Sequence, residues 1–132
     1  MIVGETLEVT TREAFRRWLM AHHGTQKEIW LVQYKKSALK PSISYIDGVE
    51  EALCFGWIDS MEKGLDAERY ATRFTPRRPK SNWTEANIER AGKMIAAGQM
   101  TEAGYAALPS DVKGAGQARR ARLTQAKRPR KN

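Results

Sequence analysis

Apolar residues recur every three or four positions in the stretch Thr10–His23, which is the period of an amphipathic helix. Thr10 and Glu13 have the spacing of a reciprocal capping box, and Gly24 follows the last position of the pattern. The sequence therefore predicts a first helix over Thr10–His23.

Three further helices are predicted from caps and periodicity. Their starts are marked by Ser44, by Ser81 or Thr84, and by Thr101, and their ends by Gly56, Gly98 and Pro109. The predicted core positions are Ile46, Val49, Leu53 and Cys54 in the second helix and Ile88, Ala91, Met94 and Ile95 in the third. Glu50 and Glu51 are predicted to face solvent.

A continuous apolar run within residues 28–34 predicts a strand buried on both faces. Residues 57–60 and 69–75 have the pattern of a β-hairpin around a loose turn that contains Gly64. Because side chains alternate along a strand, an unbulged hairpin directs Ile58, Tyr70 and Phe74 toward the core. Trp57 and Asp59 then lie on the other face with Arg69 and Arg73.

Together these elements predict an α+β single domain with a central β-hairpin at residues 57–75, one further strand at 28–34 and four flanking helices. A length of 132 residues and a hydrophobic share of 41% fit one soluble globular domain. No apolar run approaches the roughly 20 residues that span a bilayer, and no secretory signal pattern opens the chain. With Cys54 as its single cysteine, the chain is expected in the cytoplasm.

The net charge of +8 comes from the end of the chain. Residues 1–112, the predicted folded domain, hold 15 basic and 15 acidic side chains, whereas residues 113–132 hold eight basic and no acidic ones. This composition predicts a disordered basic tail, or one that becomes helical only on a partner. The tail residues expected to contact nucleic acid are Arg119, Arg120, Arg122, Lys127, Arg128, Arg130 and Lys131. Anionic lipid is a weaker alternative, because the tail lacks Trp and Phe.

Four motifs combine across residues 10–108: EALCFGWIDS at 51–60, RFTPRRPKSNW at 73–83, Asn87, and GQMTEAG at 98–104. Together they resemble the YdeI/OmpD-associated family, also described as bacteriocin-protection proteins. The resemblance implies a small bacterial α+β domain without an established catalytic activity. It also implies an association with an outer-membrane porin and with tolerance of cationic antimicrobial peptides and bacteriocins. Because this chain is itself cationic, capturing such a peptide would require the acidic side chains of Glu50, Glu51 and Glu62.

Aromatic and cationic side chains are interspersed along the hairpin and the connection that follows it. Aromatic walls beside Arg and Lys suit a flat anionic ligand or a nucleic-acid base, and a helix N-terminus favours anions. The predicted ligand-binding residues are Trp57, Asp59, Arg73, Thr75, Arg77, Lys80, Ser81, Trp83 and Asn87. The competing interpretation is structural: Asp59 forms an ion pair with Arg69 or Arg73, Ser81 and Thr84 only cap a helix, and the arginines are solvated.

The sequence favours a non-enzymatic function, because it lacks a His-x-x-x-His motif, a cysteine cluster, a phosphate-binding glycine loop and a nucleophile elbow. No cofactor or metal is predicted. His22 and His23 point about 100° apart on a helix, and Cys54 is expected to be a buried structural thiol. The predicted function is bacterial stress or envelope tolerance, through an anionic small molecule or a protein partner bound in a Trp/Arg-lined groove. The alternative is nucleic-acid association through the tail.

Overall fold

The computed structural model describes residues 2–78 and 81–109. In chain order these form β1 (Thr6–Leu7), α1 (Arg12–His22), β2 (Ile29–Tyr34), a 3₁₀ turn (Lys36–Ala38), α2 (Tyr45–Leu53), β3 (Trp57–Gly64), β4 (Arg69–Pro76), α3 (Glu85–Ala96) and α4 (Glu102–Ala107). The predicted α+β class, central hairpin and four helices are confirmed. The predicted basic tail and its boundary after residue 112 lie outside the described residues.

The four strands form one mixed sheet in the order β1-β2-β4-β3. β2 pairs with β4 and β3 pairs with β4 in antiparallel fashion, whereas β1 is parallel to β2. β1 was not predicted, because a strand of two residues is too short to show an alternation of apolar and polar side chains. The hairpin strands also extend further than expected, since β3 continues through Gly64.

Side-chain caps begin each of the four helices. Ser44, Thr84 and Thr101 accept backbone N–H bonds at the predicted starts of α2, α3 and α4. Thr84, not Ser81, is the cap of α3. The cap of α1 is Thr11, whose hydroxyl oxygen accepts the N–H of Ala14, so the predicted start at Thr10 was wrong by one residue.

α1 and α2 cover one face of the sheet. Phe15 and Leu19 of α1 are packed in one buried cluster with Ile29 and Leu31 of β2 and Phe74 of β4. A second cluster joins α2, α3 and α4 through Leu53, Ala91, Ile95, Tyr105 and Leu108. β2 is buried from Ile29 through Gln33, which confirms the prediction for that strand.

The predicted side-chain directions were right for Phe74 in β4, which is buried in the core, but wrong for β3. Asp59 pairs with Phe74 and Ile58 pairs with Thr75, so Trp57 lies on the core side and Ile58 does not. Trp57 is only 2% exposed and belongs to the cluster under α1 and α2. The large apolar indole therefore fills the core position that periodicity assigned to Ile58. A β-bulge between Asp59 and Met61 shifts the register for the rest of β3.

Two predictions for α2 were also wrong. Ile46 is 50% exposed at the start of the helix, although Val49 and Leu53 are buried as expected. Glu50 and Glu51 are 2% and 4% exposed, because cationic side chains from α1 and α3 reach over them. None of the described helices is both long and apolar enough to cross a bilayer.

Candidate functional site

A hollow of about 610 Å³ lies where α1, the α2–β3 turn, the end of β4 and α4 meet. We call it the Arg77 hollow. Its lining residues are His23, Phe55, Gly56, Trp57, Pro76, Arg77, Arg78, Ser81, Trp83, Ala103, Ala106, Ala107, Leu108 and Pro109. The volume is within the range of small-molecule pockets, which is about 300–1,000 Å³. The described lining contains two arginines and a histidine but no carboxylate.

Gly56 determines how the walls of the Arg77 hollow meet. It has a φ of 76°, a conformation that residues with a side chain rarely adopt. A Cβ atom at this position would lie 2.9 Å from the carbonyl oxygen of Ala103, so glycine allows α4 to approach closely. The Gly56 carbonyl also accepts the backbone N–H of Arg77 at 2.9 Å, which fixes the chain as it leaves β4.

Arg77 is held at the hollow by stacking and by hydrogen bonds. Its guanidinium carbon lies 3.7 Å from the centroid of the Trp83 ring. Its Nη1 donates to the Ser81 hydroxyl at 3.2 Å and to the Asn82 carbonyl at 3.3 Å. Its Nε is buried and has no hydrogen-bond partner among the described residues. Arg77 thus lines the hollow with a guanidinium whose hydrogen bonds are only partly satisfied by the described residues.

The charge of Arg77 is poorly compensated. Burial lowers the pKa of Arg77 to about 10, and only the through-space attraction of Asp59 opposes this shift. Within residues 2–78 and 81–109, Arg77 forms no ion pair, whereas Arg12, Arg16, Arg69 and Arg73 each form at least one. A cation without a paired carboxylate, partly removed from water, favours an anion nearby.

The sequence predicted four of the residues that line the hollow. Arg77, Ser81 and Trp83 form one contact group, and Trp57 lies at the buried end, where its Nε1 donates to the His23 carbonyl at 3.3 Å. Trp57 is a core residue that also lines the hollow. It is almost fully buried, whereas Trp83 is only partly buried and stacks on Arg77. Lys80, a fifth predicted residue of this stretch, lies outside the described residues.

Asp59, Arg73, Thr75 and Asn87 do not line the hollow. Asp59 accepts a 2.6 Å hydrogen bond from the Tyr45 hydroxyl, and the predicted ion pair with Arg69 or Arg73 is absent from the described ion pairs. Arg73 instead binds Glu28 at 2.6 Å, on the sheet face opposite Phe74, because Glu28 precedes β2 beside that position.

Asn87 has a structural position in α3. Its backbone N–H is bound by the Thr84 cap at 3.1 Å, and its side-chain oxygen accepts a bond from Arg90 at 2.8 Å. The hydroxyl of Ser81 is bound to Arg77 and does not cap the helix. The cationic character of the hollow therefore comes from side chains at the end of β4.

Sequence reasoning missed a second polar cluster, under α1. Arg12 forms ion pairs with Asp47, Glu50 and Glu51, and Lys93 reaches Glu50 at 2.7 Å. Burial by itself raises the pKa of Glu50, but hydrogen bonds from Lys93 and Arg12 outweigh it, and the pKa is lowered. Glu50 and Glu51 are therefore occupied, which corrects the expectation of an acidic patch formed with Glu62.

The remaining candidates for chemistry are structural. Cys54 is fully buried, and burial raises the pKa of its thiol to about 12, so the prediction of a buried thiol is confirmed. His23 follows α1, and its Nδ1 lies 2.8 Å from the Leu19 carbonyl oxygen. Among the described residues, no three His, Cys, Asp or Glu side chains cluster in a way that could hold a metal ion.

Comparison with known proteins gives one family. A family model described as a domain of unknown function (DUF8412) matches residues 7–107. The chain belongs to this family. No curated protein and no solved structure gives a significant match to it. The matched range covers the Arg77 hollow apart from Leu108 and Pro109, so the hollow is part of the family domain.

Proposed function

We propose that this chain is a non-enzymatic binding protein that holds an anionic ligand in the Arg77 hollow. The observation that supports it is the buried, unpartnered Nε of Arg77, in a guanidinium with no ion pair among the described residues. Burying a charge without a partner is costly, and an anion in the hollow offsets that cost. The described lining contains no carboxylate, so the anion that pairs with Arg77 would come from a ligand.

The placement of the other charged groups supports the same function. Several carboxylates are already paired with other arginines: Glu50 and Glu51 with arginines of α1, Glu28 with Arg73, and Asp66 with Arg69. Among the described residues, Asp59 attracts the Arg77 charge through space and does not contact it, since its carboxylate accepts a hydrogen bond from the Tyr45 hydroxyl. The hollow therefore keeps a net positive character.

The biological setting of this proposal comes from the sequence resemblance. According to this resemblance, the protein binds the ligand or a protein partner in the bacterial cytoplasm. Binding would help the cell to tolerate cationic peptides or bacteriocins that attack its envelope. Glu50 and Glu51 are held in ion pairs, which argues against direct capture of the cationic peptide. An anionic ligand fits the charge of the hollow and this setting together.

Titration with inorganic phosphate, followed by backbone amide NMR, tests the proposed site. We expect shifts in Arg77, Ser81 and Trp83 at millimolar phosphate, and their loss in Arg77→Gln. Arg17→Gln is the matched control, because Arg17 is an exposed arginine of α1 outside the hollow. Equal shifts in the two variants, or no shift around residues 77–84, would reject the site.

A second candidate function rests on the charge of residues 113–132, which hold eight basic and no acidic side chains. Such a segment neutralises phosphates and gives weak nucleic-acid binding that falls steeply with salt. The test is a full-length variant with the tail Lys and Arg residues changed to Gln, compared with the original chain in an RNA gel-shift series across salt. Identical binding of the two would exclude the tail as a nucleic-acid site.

A further inference from the structure

We infer that the ligand of the Arg77 hollow is an amphipathic carboxylate, with its charged group at Arg77 and an apolar body along α4. This inference rests on the proposed function and specifies its ligand class. Three observations on the hollow support it: the make-up of the α4 wall, the cations of the described lining, and the volume.

The wall that α4 contributes is apolar and short. Ala103, Ala106 and Ala107 face the hollow, and Leu108 follows them. Another side of α4 is packed tightly at Gly104. A Cβ atom there would collide with the Cys54 carbonyl and with the Met100 sulfur, so the helix has no room to turn. α4 therefore cannot rotate to present a polar side, and its methyl groups leave the space open.

The cations of the hollow suit one negative charge. Arg77 is half-buried and stacked on Trp83, whereas Arg78 is exposed at the rim. A carboxylate carries one charge, whereas a phosphate carries about −1.5 to −2 at neutral pH, so its second charge would meet only the exposed Arg78 and it should bind more weakly. A polyanion would place further charges against the alanines of α4, whose side chains offer no hydrogen-bond donor.

The volume leaves room for more than the charged group. About 610 Å³ is far larger than a lone anion requires and lies in the range of pockets for drug-sized ligands. The body of the ligand is apolar because, on the α4 side, the described wall consists of alanine, leucine and proline, whereas the polar side chains of Ser81 and Arg78 lie with Arg77 after β4. Burying such a body releases water from both apolar surfaces, which tightens binding.

Isothermal titration of the full chain with octanoate, acetate, octanamide and inorganic phosphate tests the ligand class. We expect octanoate to bind at least about tenfold more tightly than acetate, which lacks the body, and than octanamide, which lacks the charge. Equal affinities for octanoate, acetate and phosphate would overturn the apolar part and leave the anion site standing. Equal affinities for octanoate and octanamide, or no binding at all, would overturn the anion site as well.

Two pairs of variants locate the ligand. Ala106→Phe fills the hollow from an exposed position and should weaken octanoate by about tenfold, whereas Ala96→Phe, at an exposed alanine of α3 outside the hollow, should not. Arg77→Gln should weaken octanoate by at least about tenfold without changing octanamide, and Arg17→Gln should change neither. Thermal melts establish that each variant is folded. Unchanged octanoate affinity in folded Ala106→Phe would overturn the inference.

Discussion

The guanidinium of Arg77 stacks on the indole of Trp83, with 3.7 Å between the guanidinium carbon and the ring centroid. A cation over an aromatic face, partly shielded from water, is stabilised by about 0.5–2 kcal/mol. A double-mutant cycle with Arg77→Gln and Trp83→Leu should therefore give a coupling free energy of about 1 kcal/mol in urea unfolding. Additivity within about 0.3 kcal/mol would show that the contact does not hold the arginine.

Ligand affinity should depend on pH through Arg77. Burial lowers the pKa of Arg77 to about 10 from the ordinary value of 12.5, so the free protein loses this charge as pH rises through 10. Because an anion binds the protonated form, octanoate affinity should be constant from pH 7 to 9 and should fall above pH 10. Titration calorimetry across this range measures the effect.

The Arg77→Gln variant is the control for that pH series. Its weaker affinity should show no step near pH 10, since the titrating group is gone. An affinity for the original chain that stays constant to pH 11 would contradict the assignment.

The ion pairs of Arg12 should stabilise the fold. Arg12 reaches Asp47, Glu50 and Glu51 at 2.6–3.0 Å, and Glu50 and Glu51 are almost fully buried. Removing one partner of a buried ion pair costs about 3 kcal/mol when the other charge is left unpaired. Glu50 keeps Lys93 and Glu51 keeps Arg16, so Arg12→Met should lower the free energy of unfolding by about 1.5–2 kcal/mol in a urea titration.

Arg17→Met is the comparison for this prediction. Arg17 is an exposed residue of the same helix, and surface changes of this kind stay within about 0.5 kcal/mol. Similar stabilities for the two variants would show that the buried carboxylates do not depend on Arg12.

Cys54 should be unreactive in the folded chain. Burial raises the pKa of its thiol to about 12, with Arg16 opposing the shift, and the reactive species is the thiolate. We expect 5,5′-dithiobis(2-nitrobenzoate) at pH 8 to label Cys54 only after unfolding in guanidinium chloride. Rapid stoichiometric labelling of the native protein would contradict its burial.

Local signals in the sequence predicted the helices well. Ser44, Thr84 and Thr101 each sit directly before an apolar repeat, and a cap bond spans only three residues, so neighbouring sequence contains the needed information. The buried run in β2 was equally clear. Start positions differ by one residue at α1, where two adjacent threonines offer alternative caps.

Features set by distant partners could not be predicted in this way. The core position of Trp57 depends on how β3 registers against β4, and Glu50 is buried because Arg12, 38 residues earlier, covers it. Composition around Arg77 pointed to an anion-binding stretch, but the alanine wall of the hollow comes from α4. α4 lines the hollow because it packs against the turn at Gly56. The sequence around either segment does not predict that contact.

The Nε–H of Arg77 offers the most direct test of the anion site, because this buried donor has no hydrogen-bond partner among the residues that the structure describes. Its resonance can be followed in a ¹⁵N-labelled sample, assigned by comparison with Arg77→Gln, as octanoate is added. The account predicts a progressive shift of this signal that saturates together with the calorimetric binding curve. An unmoved Arg77 signal, while octanoate binds and shifts signals elsewhere in the chain, would contradict it.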